Sequence, residues 1–428
     1  MSDPVSAPAD AAATFQYVRK GFGLKAEVEQ TLATDYNGQL VDLLRASNYE
    51  LTSTGITVRL AREFGFCYGV ERAVDYAYQT RLKFPDRKIF LAGEIIHNPH
   101  VNAKLREMGV IFLKPSDKGF DYTSVRPEDV VILPAFGVTI QDFETLRALG
   151  CVVVDTTCGS VLNVWKRVES YARDGYTSLI HGKYYHEETR ATASQVDKYA
   201  NGHYLVVRDM PEAELVMDYI EAHAGRTLPD GRTALSREEF LTRFADRMSI
   251  GFDPDRQLDR VGVANQTTML ARESLAIGAA VGDSMERAYG AEHKAAHFRT
   301  FDTICSATQD RQDAVLDMLR EPLDLMLVVG GYNSSNTISL AALCAEKVRT
   351  YHIADPDDID VAGNRVRFRE IGAHHHEAEA TDWLPLSGDV RVGITAGAST
   401  PNNKIGESVA RVFATRGIDP ASLLPAIA

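Results

Sequence analysis

The sequence predicts an α/β protein of three pseudo-repeated units, each a parallel sheet with helices on its faces, arranged about a pseudo-threefold axis. Three observations carry that prediction. Cys67, Cys158 and Cys305 each stand where an apolar run ends and a helical pattern begins, and the last two share Asp-Thr-X-Cys. Strand and helix patterns alternate after every one of these cysteines. Polar clusters recur in register, with His97, His186 and Asn333 following their cysteines by 30, 28 and 28 residues.

Along the chain, residues 1–14, rich in Ala, Pro, Ser and Asp, read as a disordered tail whose acidic content argues against a transit peptide. Residues 15–49 read as an ordered, mostly helical extension, and the first unit is expected over 51–150. There Val70, Val74, Ala77 and Tyr78 have helical spacing, and the strand patterns 88–96 and 130–133 lead to His97-Asn98 and Phe136-Gly137. The second unit, 151–298, repeats this with Val161, Val164, Val168 and Tyr171, then strands 177–180 and 261–264 leading to His186-Glu187-Glu188 and Gln266-Thr267-Thr268. It carries a polar insertion at about 222–260, expected to be a surface excursion with some helix, remote from the chemistry. The third unit, 299–428 with a C-terminal tail, has Val315, Met318 and Leu319 on a helix face. Its strands 323–329 and 390–394 end at Asn333-Ser334-Ser335-Asn336 and Gly397-Ala398-Ser399.

Composition narrows the function. A length of 428 residues suits two to four domains, and 45% apolar content can fill their cores. The net charge of −13 disfavours nucleic acid or an anionic membrane as the main partner, while a small anionic substrate remains open to a donor-rich site. No apolar stretch reaches spanning length, and the first residues lack a basic start with an apolar core, so the expected location is the cytoplasm. Five cysteines, an odd number, fit reduced thiols or a metal centre better than a disulfide framework.

In sheets of this kind chemistry gathers beyond the carboxyl ends of the strands, where all these polar clusters fall. A thiolate at a helix start feels the unpaired N–H groups, which should lower its pKa and favour a cation. Intervals of 91 and 147 residues between the cysteines match neither a zinc ribbon nor a ferredoxin loop, so spacing leaves zinc and iron–sulfur both open. A cubane on three thiolates would leave one iron free to act as a Lewis acid. Cys151 and Cys344, outside the register, read as buried, inert thiols. The run from Asn333 to Asn336 reads as a helix cap, and since the same uncapped N–H groups also bind phosphate, the two readings are compatible. His374-His375-His376 reads as a solvated loop, and Lys183 and Arg190 as either site cations or surface charges.

Six motifs in order then resemble one family. They are Phe64-Gly65-Phe66-Cys67-Tyr68-Gly69-Val70, Glu94-Ile95-Ile96-His97-Asn98, Asp155-Thr156-Thr157-Cys158, Gln266-Thr267-Thr268, Asn333-Ser334-Ser335-Asn336 and Thr395-Ala396-Gly397-Ala398-Ser399. Together they are similar to the 4-hydroxy-3-methylbut-2-enyl diphosphate reductases, last enzymes of the non-mevalonate isoprenoid route. The likeness runs from about residue 15 to the C-terminus, and the segment from His181 to Thr189, with Arg19-Lys20-Gly21-Phe22-Gly23, looks like the longer branch of plastids and photosynthetic bacteria.

The resemblance implies a central [4Fe-4S] cluster on Cys67, Cys158 and Cys305, with the substrate's allylic hydroxyl oxygen on the fourth iron. It implies that His97, His186, Ser334, Ser335, Asn336 and Ser399 hold the diphosphate. Glu188 and Thr267 would serve proton delivery, with Thr267 also touching substrate and His186 counted in the catalytic set. Ferredoxin or flavodoxin would supply two electrons, one at a time, to give isopentenyl and dimethylallyl diphosphates. The shorter branch has a histidine where Phe136 stands, so one diphosphate donor is missing, with His100 or a backbone group as the expected substitute. A zinc hydrolase or lyase acting on a phosphorylated small molecule, and a non-catalytic iron–sulfur sensor, stay as alternatives. The oligomeric state is left open, a homodimer included.

Overall fold

The computed structural model describes residues 15–116, 119–372 and 376–424. The expected tail 1–14 lies outside them, as do His374 and His375 of the histidine run.

One four-strand order recurs three times, always parallel. Ile89–Leu91 lies between Val110–Phe112 and Val130–Leu133, and Val130–Leu133 pairs outward with Val152–Asp155. Thr177–His181 lies between His203–Val207 and Val261–Asn265, which pairs with Phe298–Thr300. Leu325–Val329 lies between Thr350–Ile353 and Val390–Ala396, which pairs with Ile56–Leu60. In each sheet the chain order reverses between the first and third strands of its unit, which opens a crevice beyond their carboxyl ends. The third sheet continues through antiparallel strands on both edges.

Sheet membership shifts the expected unit boundaries. The strand before each cysteine closes the sheet of the preceding unit: Val152–Asp155 sits in the first sheet, Phe298–Thr300 in the second, and Ile56–Leu60 in the third. Cuts at 150/151 and 298/299 therefore run through hydrogen-bonded sheets. Strand and helix alternation fixes the elements, but only inter-strand pairing decides which sheet a strand joins. The consequence is an interlocked ring, in which every unit hands the next one its cysteine.

The central strands are buried on both faces, as parallel sheets require. In Val130–Leu133, Val130 and Ile132 enter one core while Val131 and Leu133 enter the opposite one. The cysteine helices bury the spacing read from sequence, with Val70, Ala73, Val74, Ala77 and Tyr78 inward on Tyr68–Lys83, and Val161, Val164, Val168 and Tyr171 inward on Gly159–Arg173.

Two segments go beyond the expectation. The extension opens with a strand, Gln16–Val18, paired parallel with Val152–Asp155. Its helices Lys25–Tyr36 and Gln39–Ala46 then strap two units together, Val28 and Tyr36 entering the first core and Leu40, Val41 and Leu44 the third. The insertion is more than a surface excursion. A Ser236/Glu239 capping box starts the helix Arg237–Arg243, whose Phe240, with the following Phe244, is fully buried in the second unit's core. Apolar spacing in a short, charged segment hid those two anchors.

Candidate active site

Each cysteine caps a helix: Cys67 before Tyr68–Lys83, Cys158 before Gly159–Arg173, and Cys305 before Ser306–Met318. All three border one cavity of about 100 Å³ where the units meet. A Cβ built on Gly69 would stand 2.6 Å from the Cys158 sulfur and 3.9 Å from that of Cys67, so those sulfurs lie no farther apart than the sum of these distances. Glycine at 69 is a requirement of the sulfur packing.

Three arginines that sequence reasoning did not single out lock the cysteine loops in a cycle. Arg72, from the Cys67 helix, donates to the Thr156 carbonyl at 3.2 Å, in the loop that carries Cys158. Arg167, from the Cys158 helix, lies over the Phe301 ring at 3.9 Å, just before Cys305. Arg311, from the Cys305 helix, donates to the Gly65 carbonyl at 2.6 Å, just before Cys67. Unequal positions after the three cysteines conceal this cycle in the sequence.

The expected depression of the thiol pKa values does not hold for two of the three. Burial pushes Cys67 up, against the Val70 amide and Arg311, and pushes Cys305 up to about 11 despite its Thr308 contact at 3.0 Å. Desolvation of a thiolate outweighs the helix terminus. A cation that replaces the protons reverses this balance, so the neutral thiols and a compact cavity fit a small inorganic centre.

The remaining expected site residues line the same cavity: His97 from the first unit, His186, Glu188 and Thr267 from the second, and Ser334, Ser335, Asn336 and Ser399 from the third. His97 and His186 meet edge to face at 5.0 Å between ring centroids. Burial lowers the His97 pKa, yet Glu187 and Glu94 outweigh it and hold the imidazole up at about 9. Its Nδ1 is 2.8 Å from Glu94. Its Nε2 is 3.5 Å from Glu187, an ion-pair contact outside hydrogen-bond geometry, which leaves that N–H available to a ligand. His186 is the opposite case: burial, then the His97 charge, pushes it down to about 3. Its Nδ1 accepts from the Glu188 amide at 3.1 Å, which fixes the tautomer with the proton on Nε2, facing no protein acceptor.

Glu188 is 3% exposed. Burial raises its pKa to about 6, against hydrogen bonds from Thr267, whose amide donates to its carboxyl at 2.6 Å. A carboxyl poised near neutrality beside a sulfur-lined cavity can hold and release a proton. In the third unit Ser334 caps the helix Ser335–Ala345. The Asn336 side-chain oxygen accepts from the Ala398 amide at 2.9 Å, leaving its NH₂ without a protein partner. The Ser399 hydroxyl reaches the His97 carbonyl at 3.3 Å.

Other expectations come out differently. Phe136 stacks on His97 at 4.6 Å and 16°, occupying that wall with an apolar ring. His100 does not replace the missing donor. It lies outside the cavity, its Nε2 3.4 Å from the Asp35 carbonyl and from Asn403 Nδ2. Lys183 is half-buried and its ammonium donates to the Ser335 hydroxyl at 3.1 Å, whereas Arg190 is exposed. Cys151 and Cys344 are fully buried away from the cavity. The trio Asp259, His293 and His297 also brings metal-binding atoms together, but it borders no part of this cavity and its imidazoles already contact Asp259 at 3.5 and 3.1 Å.

One pocket bordered by thiols from three α/β units, by N–H donors without protein acceptors and by a protonatable carboxyl suits a metal- or cluster-centred enzyme acting on a small anionic substrate. The protein-family model described as LytB protein matches residues 58–413, and the chain belongs to that family. It is 46% identical over 407 residues to a 4-hydroxy-3-methylbut-2-enyl diphosphate reductase of Thermosynechococcus vestitus, covering 95% of this chain and 96% of the relative. It is likewise 46% identical over 417 residues to the enzyme of that name from Gloeobacter violaceus, covering 96% and 95%. The solved structure of the E-1-hydroxy-2-methyl-but-2-enyl-4-diphosphate reductase from Plasmodium falciparum superposes with a TM-score of 0.58 at 21% identity, over 84% of this chain and 89% of that one. That likeness speaks for the fold. Among the described residues no helix is long and apolar enough to cross a membrane.

Proposed function

We infer that the chain is an iron–sulfur reductase that converts (E)-4-hydroxy-3-methylbut-2-enyl diphosphate to isopentenyl and dimethylallyl diphosphates. The allylic C–O bond breaks, two electrons and two protons enter, and water leaves. The observation that carries this reading is the meeting of three thiols from three units in one cavity with a buried Glu188.

Cys67, Cys158 and Cys305 would hold a [4Fe-4S] cluster, which supplies the electrons singly and a Lewis-acidic iron. His97, as imidazolium, and His186, through Nε2–H, donate to the diphosphate. Ser334, Ser335, Asn336 and Ser399 add neutral donors at a helix N-terminus, where phosphate oxygens are favoured. Glu188 delivers the proton with which hydroxide departs as water, and Thr267 holds that carboxyl in place. A ferredoxin or flavodoxin as electron donor, which the resemblance implies, and a cytoplasmic location, which five unpaired cysteines suit, complete the proposal.

Anaerobic purification tests it. The protein should be brown, contain about four iron and four sulfide per chain, and turn over the diphosphate with an artificial reductant. Colourless protein with stoichiometric zinc would overturn the reading in favour of the zinc alternative.

A further inference from the structure

Next to the sulfur cavity, and sharing His97 and His186 with it, lies a second and larger one of about 440 Å³, lined also by Arg106, Lys183 and Arg369. Among the described residues none of these three cations has a carboxylate within 4.0 Å. Arg106 lies over Phe112 at 4.1 Å, and Arg369 donates to the Tyr332 carbonyl. Lys183 reaches inward: its ammonium donates to the Ser335 hydroxyl at 3.1 Å, and Ser335 lines the sulfur cavity as the first residue of its helix. Among the described residues the carboxylates of the larger cavity are Glu94 and Glu187, both turned onto His97.

Charge accounting gives this arrangement its meaning. A diphosphate carries several negative charges, and the His97 imidazolium is already balanced by Glu94 and Glu187. His186 is neutral and Phe136 offers an apolar ring where a donor is missing. Among the described residues Lys183 is then the one cation in hydrogen-bond contact with a hydroxyl of the proposed diphosphate site. A half-buried cation beside a helix N-terminus without a counter-ion is an arrangement that an anion stabilises. In a chain of net charge −13 the neighbouring arginines make the larger cavity a local attractor for such an anion.

We propose that Lys183 is a diphosphate-binding residue which, from its position on Ser335, takes the charge-bearing role left open by Phe136. Burial, with Arg369 nearby, lowers the Lys183 pKa to about 8. An arriving phosphate reverses that strain. The inference rests on the reductase reading and is tested apart from it.

Lys183→Met removes the charge at similar length, and Lys183→Gln keeps a hydrogen-bond donor for Ser335. In cluster-loaded enzyme both should raise KM for the diphosphate, and Ki for inorganic pyrophosphate, by about ten- to a hundredfold, the range for losing one charge-assisted hydrogen bond. Iron content and cluster absorbance should match the parent, and the loss should fall on KM more than on kcat. Lys183→Arg should restore most of the affinity. A parent that turns over while both neutral variants keep its KM and Ki would overturn the proposal. A parent that turns over no diphosphate would instead sink the reductase reading. If Lys183→Met fails to fold, Lys183→Gln decides, because its contact with Ser335 survives without the charge.

Discussion

At the sulfur end of the cavity the three units contribute the same group from the same place, a cysteine at a helix start. At the polar end each contributes something different. The first unit offers His97 and the apolar Phe136, the second His186, Glu188 and Thr267, and the third a row of hydroxyls and an amide. A compact inorganic centre can be met by equivalent donors, so repetition serves it. A substrate with a charged head and a hydroxyl to be removed needs unequal neighbours, and there the repeat has diverged. The electrostatics differ in the same way. Burial at the sulfur end leaves Cys67 and Cys305 neutral until a cation arrives, whereas at the polar end Glu94 and Glu187 keep His97 charged.

The sharpest way to break this contrast is Cys67→Ser against Cys344→Ser. The first should lose cluster and activity to below detection, and the second should keep both, as measured by iron, sulfide and turnover under anaerobic conditions. Equal losses would mean that position in the repeat does not mark the ligands.

Glu188→Gln probes the polar end alone. The cluster should remain, while kcat falls by about a hundredfold or more, the usual scale for losing a positioned proton donor. On the proposed role, kcat of the parent should decline as pH rises through about 6, because the carboxyl then loses the proton it would deliver. Unchanged kcat in a cluster-loaded variant would remove Glu188 from the proton path.

Gly69→Ala probes the sulfur end by geometry. The position is helical, so the backbone accepts alanine, and circular dichroism should not change. The added methyl would meet the Cys158 sulfur at 2.6 Å, so cluster occupancy should drop by about half or more, an overpacking effect. Full occupancy would show that the sulfurs yield.

The smallest effect concerns stability. The folded chain holds the Glu188 proton more tightly than the unfolded one, so its contribution is full below about 4.5 and is lost as pH climbs through about 6. Above that, Glu188→Gln should be more stable than the parent by about 2 kcal/mol. At low pH the difference should vanish. Parallel denaturation curves of the two proteins at both pH values check it.

How much was legible is clearest in single residues. Helical spacing after Cys67 and Cys158 announced the buried faces of their helices, and matched offsets announced His97 and His186, because local period and repeat register are properties of the chain itself. Phe240 and Phe244 were hidden, since a two-residue anchor has too little periodicity to stand out. Lys183 was ambiguous for a different reason: a lysine shows in sequence but its burial does not.

The sequence by itself determined the elements, the threefold recurrence and the residue types that gather at strand ends, since these follow from side-chain pattern along one chain. Only the tertiary structure decided that each cysteine's strand closes the sheet before it, that burial overrides the helix terminus at Cys67 and Cys305, and that Glu94 and Glu187 charge His97 while His186 stays neutral. Pairing, desolvation and Coulomb interaction depend on distances between residues far apart in the chain, and folding alone sets those distances.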